Sequence, residues 1–269
     1  MSIPNRLVRP MNNVTAEKPR WRVAAAVVLL SLVYTGLVLG NGLDRLSETR
    51  PELATKIPSL FASEALRIAG AQALSDGQVL STVKLGEQAL RDAPTDPQSA
   101  AMLGAGLLGS GNQAKADRAF RVAGRLGWRV PITQNYWLSK ALEVSDYRLA
   151  ALRLDALGRQ QPGLITERQL LDPMERNPAG RAALISRMAL HPEWLPNYVG
   201  VDGATPADAL LQRSVVLEEG ARAGVVLGCE TITPMVRRLA ELKRRDEAAR
   251  LWTAHCPASE RALVTNPPI

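Results

Sequence analysis

Five pairs of residues in this 269-residue chain obey one spacing. Gly70 and Gly104, Gly77 and Gly111, Ala89 and Ala123, and Ala116 and Ala150 each lie 34 positions apart, while Pro94 and Pro162 lie 68 apart, twice that. Recurrence at a fixed period of this size marks an array of short supersecondary units, each unable to bury its apolar face without a neighbour. Composition says what the units are made of. Aromatic residues are only 4% of the chain, Ala and Leu are abundant, and runs alternating Val, Ile, Thr and Tyr are few. Because Ala and Leu lose least on entering a helix, the fold class expected is all-α.

The frame divides the chain into units 63–96, 97–130 and 131–164. In the first two, Gly77 and Gly111 fall where two helices must join by a tight turn, a position that suits a residue free to take positive φ. In the middle unit Leu103 and Gly104 form a Leu-Gly pair in the first helix, and Ala116, Phe120 and Ala123 form a small-aromatic-small trio in the second. On these residues the sequence resembles the tetratricopeptide-repeat family. The third unit keeps Ala150 and Pro162 but has Trp137, Leu154 and Leu157 at motif positions, and the first has Gly86 where an aromatic ring is expected. The resemblance implies a right-handed superhelical solenoid of helix pairs whose first helices line a concave groove. Carried over residue by residue, it implies partner contacts at Arg67 and Ala71, at Gln98 and Ala105, and at Asn135, Ser139 and Glu143; ordinary exposed residues are the plainer reading of the same positions.

Beyond residue 165 the frame fades. LITERQLLDPM and PAGRAALISRMAL each read as helices, and TPADALLQRSVVLEEG as another, with Thr205 as N-cap and Gly220 as its stop. MVRRLAELKRRDEAARLWTAHC reads as one more pair, in which Ala248 and Trp252 repeat the four-residue step of Ala116 and Phe120. Residues 165–262 are expected to continue the solenoid with degenerate units, a separate helical bundle being the alternative, and residues 263–269 to be a frayed end.

Residues 23–43, VAAAVVLLSLVYTGLVLGNGL, contain no Asp, Glu, Lys or Arg. As a helix they would span about 30 Å, the thickness of a bilayer hydrocarbon core. A cleaved signal peptide shares the basic start and apolar middle, but the 22-residue polar lead, the length of the apolar run and the lack of a small-x-small site favour an anchor. Residues 1–22 carry five bases against one acid and read as a cytoplasmic tail, so the chain after a spacer at 44–60 is expected outside the cytoplasm. The whole chain is basic, at +7, yet residues 23–269 hold 28 bases against 25 acids, which removes the main argument for nucleic acid as a partner.

The chemistry-bearing residues are sparse. His191 and His255 have no identifiable catalytic partner, no His pair sits at i, i+4, and GAGLLGSG at 104–111 lacks both the Lys-Ser/Thr of a phosphate loop and a preceding strand. No cofactor, metal or catalytic residue is therefore expected. The mixed run LKRRDEAAR reads as a solvated helix connection. Cys229 and Cys256 would meet at the open end of a helical hairpin over 232–255. In an oxidising compartment that predicts one disulfide, with two free thiols as the other reading.

The expected function is that of a non-catalytic, membrane-tethered scaffold of the bacterial inner membrane, N-terminus cytoplasmic and repeats periplasmic, binding protein subunits of an envelope complex. The resemblance in architecture implies settings such as polysaccharide synthesis or export. The alternative is a carbohydrate-active enzyme on a helical scaffold, which would need two carboxylates roughly 5 to 10 Å apart across a cleft; the sequence nominates no such pair.

Overall fold

The structure, a computed structural model, describes residues 20–47, 49–50, 57, 62–200 and 205–261, and among these every regular element is helical. The tail before residue 20, most of the spacer after Ser47 and the end at 263–269 lie outside the described residues. By its contacts the chain divides into two units, Met1–Ala69 and Gly70–Ile269.

In the first unit, α1 (Arg20–Leu46) extends three residues beyond the apolar run at each end. It is long and apolar enough to cross a membrane: its best window has a mean hydropathy of 2.3 and is almost wholly exposed. Asp44, read from sequence as part of the spacer, sits in the last turn of α1 and is buried. Its carboxylate accepts from Ser63 Oγ at 3.1 Å and from the backbone N–H groups of Glu64 and Ala65 at 3.0 Å each. It thereby caps the start of α2 (Ser63–Ser75) from 19 or more residues up the chain.

The second unit follows with α3 (Val79–Asp92), α4 (Pro97–Gly109), α5 (Gln113–Leu126), α6 (Pro131–Glu143) and α7 (Tyr147–Gln160). First helices start at Ser63, Pro97 and Pro131 and second helices at Val79, Gln113 and Tyr147, so both series keep the 34-residue step. The caps explain the starts. Asp96 accepts from the N–H groups of Gln98 and Ser99, Asn112 from Lys115 and Asp146 from Leu149. The turns explain the stops. Gly77, Gly111 and Ser145 all take positive φ, 71°, 77° and 58°. In each turn the next residue's N–H reaches back five positions, Gln78 to Ala73, Asn112 to Leu107 and Asp146 to Ala141, the closure typical of a left-handed C-terminal cap.

After a 3-10 turn (Pro162–Thr166) come α8 (Arg168–Glu175), α9 (Pro178–Met188), α10 (Leu195–Val199), α11 (Ala207–Arg222), α12 (Cys229–Glu241), α13 (Arg245–His255) and α14 (Ala258–Arg261). Two sequence expectations for α11 are corrected. It begins at Ala207 with Pro206 as the flanking residue, and Gly220 lies inside it, buried; the stop is Gly224, at φ 89°. Gly220 packs beside Ile185 and Val225, where a Cβ would find only ordinary contacts at 3.7 and 3.8 Å. The α12–α13 pair repeats the earlier hairpins, with Lys243 at φ 60° in the turn and Arg244 N–H bonded to Leu239 O. Its start is 98 residues after Pro131, however, so it stands outside the 34-residue frame. Cys229 and Cys256 close its open end as a disulfide, with Cα atoms 4.4 Å apart.

The core has two parts. Ala100, Ala101, Ala116, Phe120, Ala123, Val130 and Tyr136 form one between α4, α5 and α6. The other runs without a break from Leu138 and Leu154 in α6 and α7 through Leu171, Leu184, Trp194 and Leu217 to Leu251 and Trp252, so no change of core marks residue 165. Across that position Trp194 Nε1 donates to Asp155 at 2.8 Å and its ring lies where a Cβ at Gly158 would be, 2.8 Å away.

Candidate functional site

Most of the residues assigned to repeat packing sit inside the fold, while Gly77 and Gly111 are exposed in turns. Ala89, Ala116, Phe120, Ala123 and Ala150 are buried, Leu103 is half-buried, and Gly70 and Gly104 leave the space taken by Met102 and by the Phe120 ring. Gly86, at the position where an aromatic was expected, instead lets α4 approach so closely that a Cβ there would stand 2.9 Å from Leu103 Cα.

Between α4, α5 and α6 lies an open cleft of about 310 Å³. Its floor is apolar: Leu74, Ala105, Leu108, Phe120, Ile132 and Tyr136. Its rim is polar: Gln113, Asn135, Ser139, Lys140 and Glu143. Of the groove positions taken from sequence, the structure brings Ala105, Asn135, Ser139 and Glu143 together here. Gln98 is exposed in the first turn of α4, outside the cleft. Arg67 lies in the first unit, where it pairs with Glu64. A second depression of about 390 Å³ shares Ile132 and Asn135 and continues to Leu157, Leu164 and Leu170. Asn135 thus stands on a ridge between two apolar hollows.

Apart from Phe120, the side chains that hold this cleft in shape escaped the sequence reading. Phe120 and Tyr136 stack with centroids 4.0 Å apart and planes at 14°. The Tyr136 hydroxyl donates to Asp117, and Gln113 Nε2 donates to the Tyr136 oxygen at 2.9 Å and to Asp117 at 3.1 Å. Hydrogen bonding from Tyr136 holds the Asp117 carboxyl below its ordinary range, whereas burial and that carboxylate push the Tyr136 phenol up. The ring is therefore a neutral donor with a fixed orientation. Lys140 pairs with Glu143 at 2.8 Å along the rim. The available signal was the Gln113–Asp117 pair at i, i+4, which marks one polar edge of α5.

A second ionisable cluster is sealed inside the protein. Tyr198 Oη donates to Glu175 at 2.8 Å, Arg213 Nε lies 3.6 Å from the same carboxylate, and the guanidinium covers the Tyr198 ring at 5.3 Å. Burial pushes the Glu175 carboxyl up against the opposing pull of Tyr198 and Arg213. All three side chains are at most 3% exposed, so the cluster ties α8, α10 and α11 together and offers nothing to a substrate. Among the described residues no group of three His, Cys, Asp or Glu side chains is placed to hold a metal. Comparison with family models, curated proteins and solved structures gave no match.

Proposed function

We propose that this protein is a membrane-tethered scaffold of the tetratricopeptide-repeat kind, α1 being its anchor and the cleft over α6 the place where a protein partner binds. The observation that carries the reading is the cleft itself, an apolar floor under a polar rim, assembled from the first helices α2, α4 and α6 with Gln113 and Phe120 of α5. Such a surface suits an extended or helical peptide segment, whose apolar side chains fill hollows while its polar groups meet Asn135, Ser139 and Gln113. The 34-residue recurrence of helix starts supports a stack of pairs, which in a solenoid curves so that first helices face inward. The basic residues ahead of α1 support a cytoplasmic N-terminus, and the Cys229–Cys256 bond suits an oxidising compartment such as a bacterial periplasm. In that compartment the partner would be a subunit of an envelope complex, with polysaccharide synthesis or export as one setting.

The test is photocrosslinking in intact membranes from a probe at Ser139, with a second probe at exposed Lys84 on α3 as control. A discrete protein adduct is expected from Ser139 alone, and Asn135→Trp, which fills the ridge between the hollows, should abolish it. Equal adducts from both probes, or an adduct indifferent to Asn135→Trp, would overturn the assignment.

A further inference from the structure

The solvent side of α5 is strongly basic. Phe120, Ala116 and Ala123 form its buried stripe. On the opposite side, Arg118, Arg121, Val122 and Arg125 follow at three- and four-residue steps and all are exposed. The chain then leaves the helix through Leu126, Trp128 and Arg129, which are exposed too. Residues 113–129 hold five bases and one acid, and that acid, Asp117, is engaged by Tyr136 and Gln113.

Two features separate this face from an ordinary charged surface. Among the described residues Lys115, Arg118, Arg121, Arg125 and Arg129 form no ion pair; single cations such as Arg148, Arg187 and Arg245 share that state elsewhere, but here five gather on one helix and the turn that follows it, while Arg91, Arg159, Arg168, Arg176, Arg244 and Arg250 each have a carboxylate within 4 Å. Large apolar side chains also stand among the cations, Val122 43% exposed, Leu126 40% and Trp128 55%. Trp128 opens onto a shallow depression shared with Leu149 and Leu152 of α7, and Arg129 lies 5.5 Å from its ring. Trp128 among arginines would also suit stacked bases, but Val122 and Leu126 offer no ring to stack on; aliphatic side chains interleaved with cations match the boundary between phosphate headgroups and acyl chains.

We propose that the solvent face of α5, continued by Leu126, Trp128 and Arg129, is a docking surface for an anionic phospholipid bilayer. The chain supplies the reason for that occupant: a domain joined to a membrane-spanning α1 meets a bilayer at high effective concentration, so a few weak contacts suffice. The inference rests on the anchor reading of α1 and is independent of the cleft.

The experiment uses the full chain reconstituted in lipid nanodiscs, either zwitterionic or containing anionic phosphatidylglycerol. The structure has no free cysteine among its described residues, so Val122→Cys gives one site for an environment-sensitive fluorophore. Expected in anionic discs are a blue shift and quenching by brominated acyl chains, both lost in zwitterionic discs, in 1 M salt where screening acts within about 3 Å, and in Arg118→Gln/Arg121→Gln/Arg125→Gln. The matching triple Lys variant should retain them. Co-migration of chain and disc reports the anchor separately. An unshifted label in anionic discs with the chain co-migrating would overturn the docking surface alone. So would the same shift in zwitterionic discs, or a shift produced there by soluble polyanions such as nucleic acid or an acidic peptide.

Discussion

Tyr136 lies flat on Phe120, and its hydroxyl reaches across to Asp117, so one side chain fastens α6 to α5 by its face and by its edge. Removing only the hydroxyl separates the two contributions. Tyr136→Phe should keep the stack and lower stability by about 1 kcal/mol, read by urea unfolding of the full chain in mild detergent. The Asp117 carboxyl is held below 3.8 when folded, so its contribution is complete above that pH and lost as pH falls through the lowered value. Nuclear magnetic resonance titration should find it moved back up in the variant; an unmoved carboxyl would mean that the hydroxyl does not set it.

Two glycines in helices should respond in opposite directions to the same substitution. At Gly86 a Cβ meets the backbone of Leu103 at 2.9 Å, and backbone cannot swing aside, so Gly86→Ala should destabilise by about 1–3 kcal/mol through overpacking. At Gly124 the nearest atoms are Trp137 Nε1 at 3.6 Å and Thr133 Cγ2 at 3.8 Å, ordinary contacts. Gly124→Ala should therefore stabilise by up to about 1 kcal/mol from helix propensity. Melting temperatures moving the same way would contradict the packing drawn between α3 and α4.

Ser145 and Lys243 occupy turn positions that Gly77 and Gly111 hold elsewhere, at φ 58° and 60°. A side chain there costs roughly 1 kcal/mol that glycine avoids. Ser145→Gly and Lys243→Gly are each expected to raise the melting temperature, and Gly111→Ala to lower it by a comparable amount. The comparison needs only thermal unfolding followed by circular dichroism.

His255 is fully buried, donates from Nε2 to Leu217 O at 3.0 Å, and leaves Nδ1 without a partner. Burial lowers its affinity for protons below the ordinary 6.5. The unfolded chain then binds more protons than the folded one as pH falls below about 6.5, so stability must decline there. His255→Gln should flatten that part of the stability profile relative to wild type, leaving the region above pH 7 parallel.

The disulfide joins residues 27 apart in sequence. Limiting the unfolded chain by a loop of that size is worth about 3 kcal/mol, so Cys229→Ser/Cys256→Ser should lose about that much with an unchanged helical spectrum. A reducing agent should reproduce the loss in wild type and leave the variant unaffected.

Much of the architecture was legible because it is local. Helix starts at Pro97, Gln113 and Tyr147 follow from caps one residue earlier, and the glycine turns need only positive φ. Legibility failed where a distant group decides. Gly220 reads as a helix stop, yet it lies buried inside α11, and the chain turns out of that helix at Gly224. Asp44 reads as part of a polar spacer, yet it caps α2. At Ser145 and Lys243 the turn is the same as at the glycines, but no residue type announces it, because the tertiary contacts of each pair offset the strain.

The cleft was half legible for the same reason. Asn135, Ser139 and Glu143 could be placed on one side of α6 by counting, since helical period depends on backbone geometry alone. That Tyr136 would lie on Phe120, that Gln113 and Asp117 would fasten it, and that Gln98 would stand apart depended on how α4, α5 and α6 cross. Likewise net charge averaged over 23–269 hid the unpaired arginines of α5, because only folding shows which cations find a carboxylate. Sequence by itself determined the helical period, the caps, the repeat step and the apolar length of α1, all properties of neighbours along the chain. Tertiary structure decided the floor of the cleft, the sealed Glu175–Tyr198–Arg213 cluster and the bare basic face, because burial and pairing are set by residues far apart in sequence.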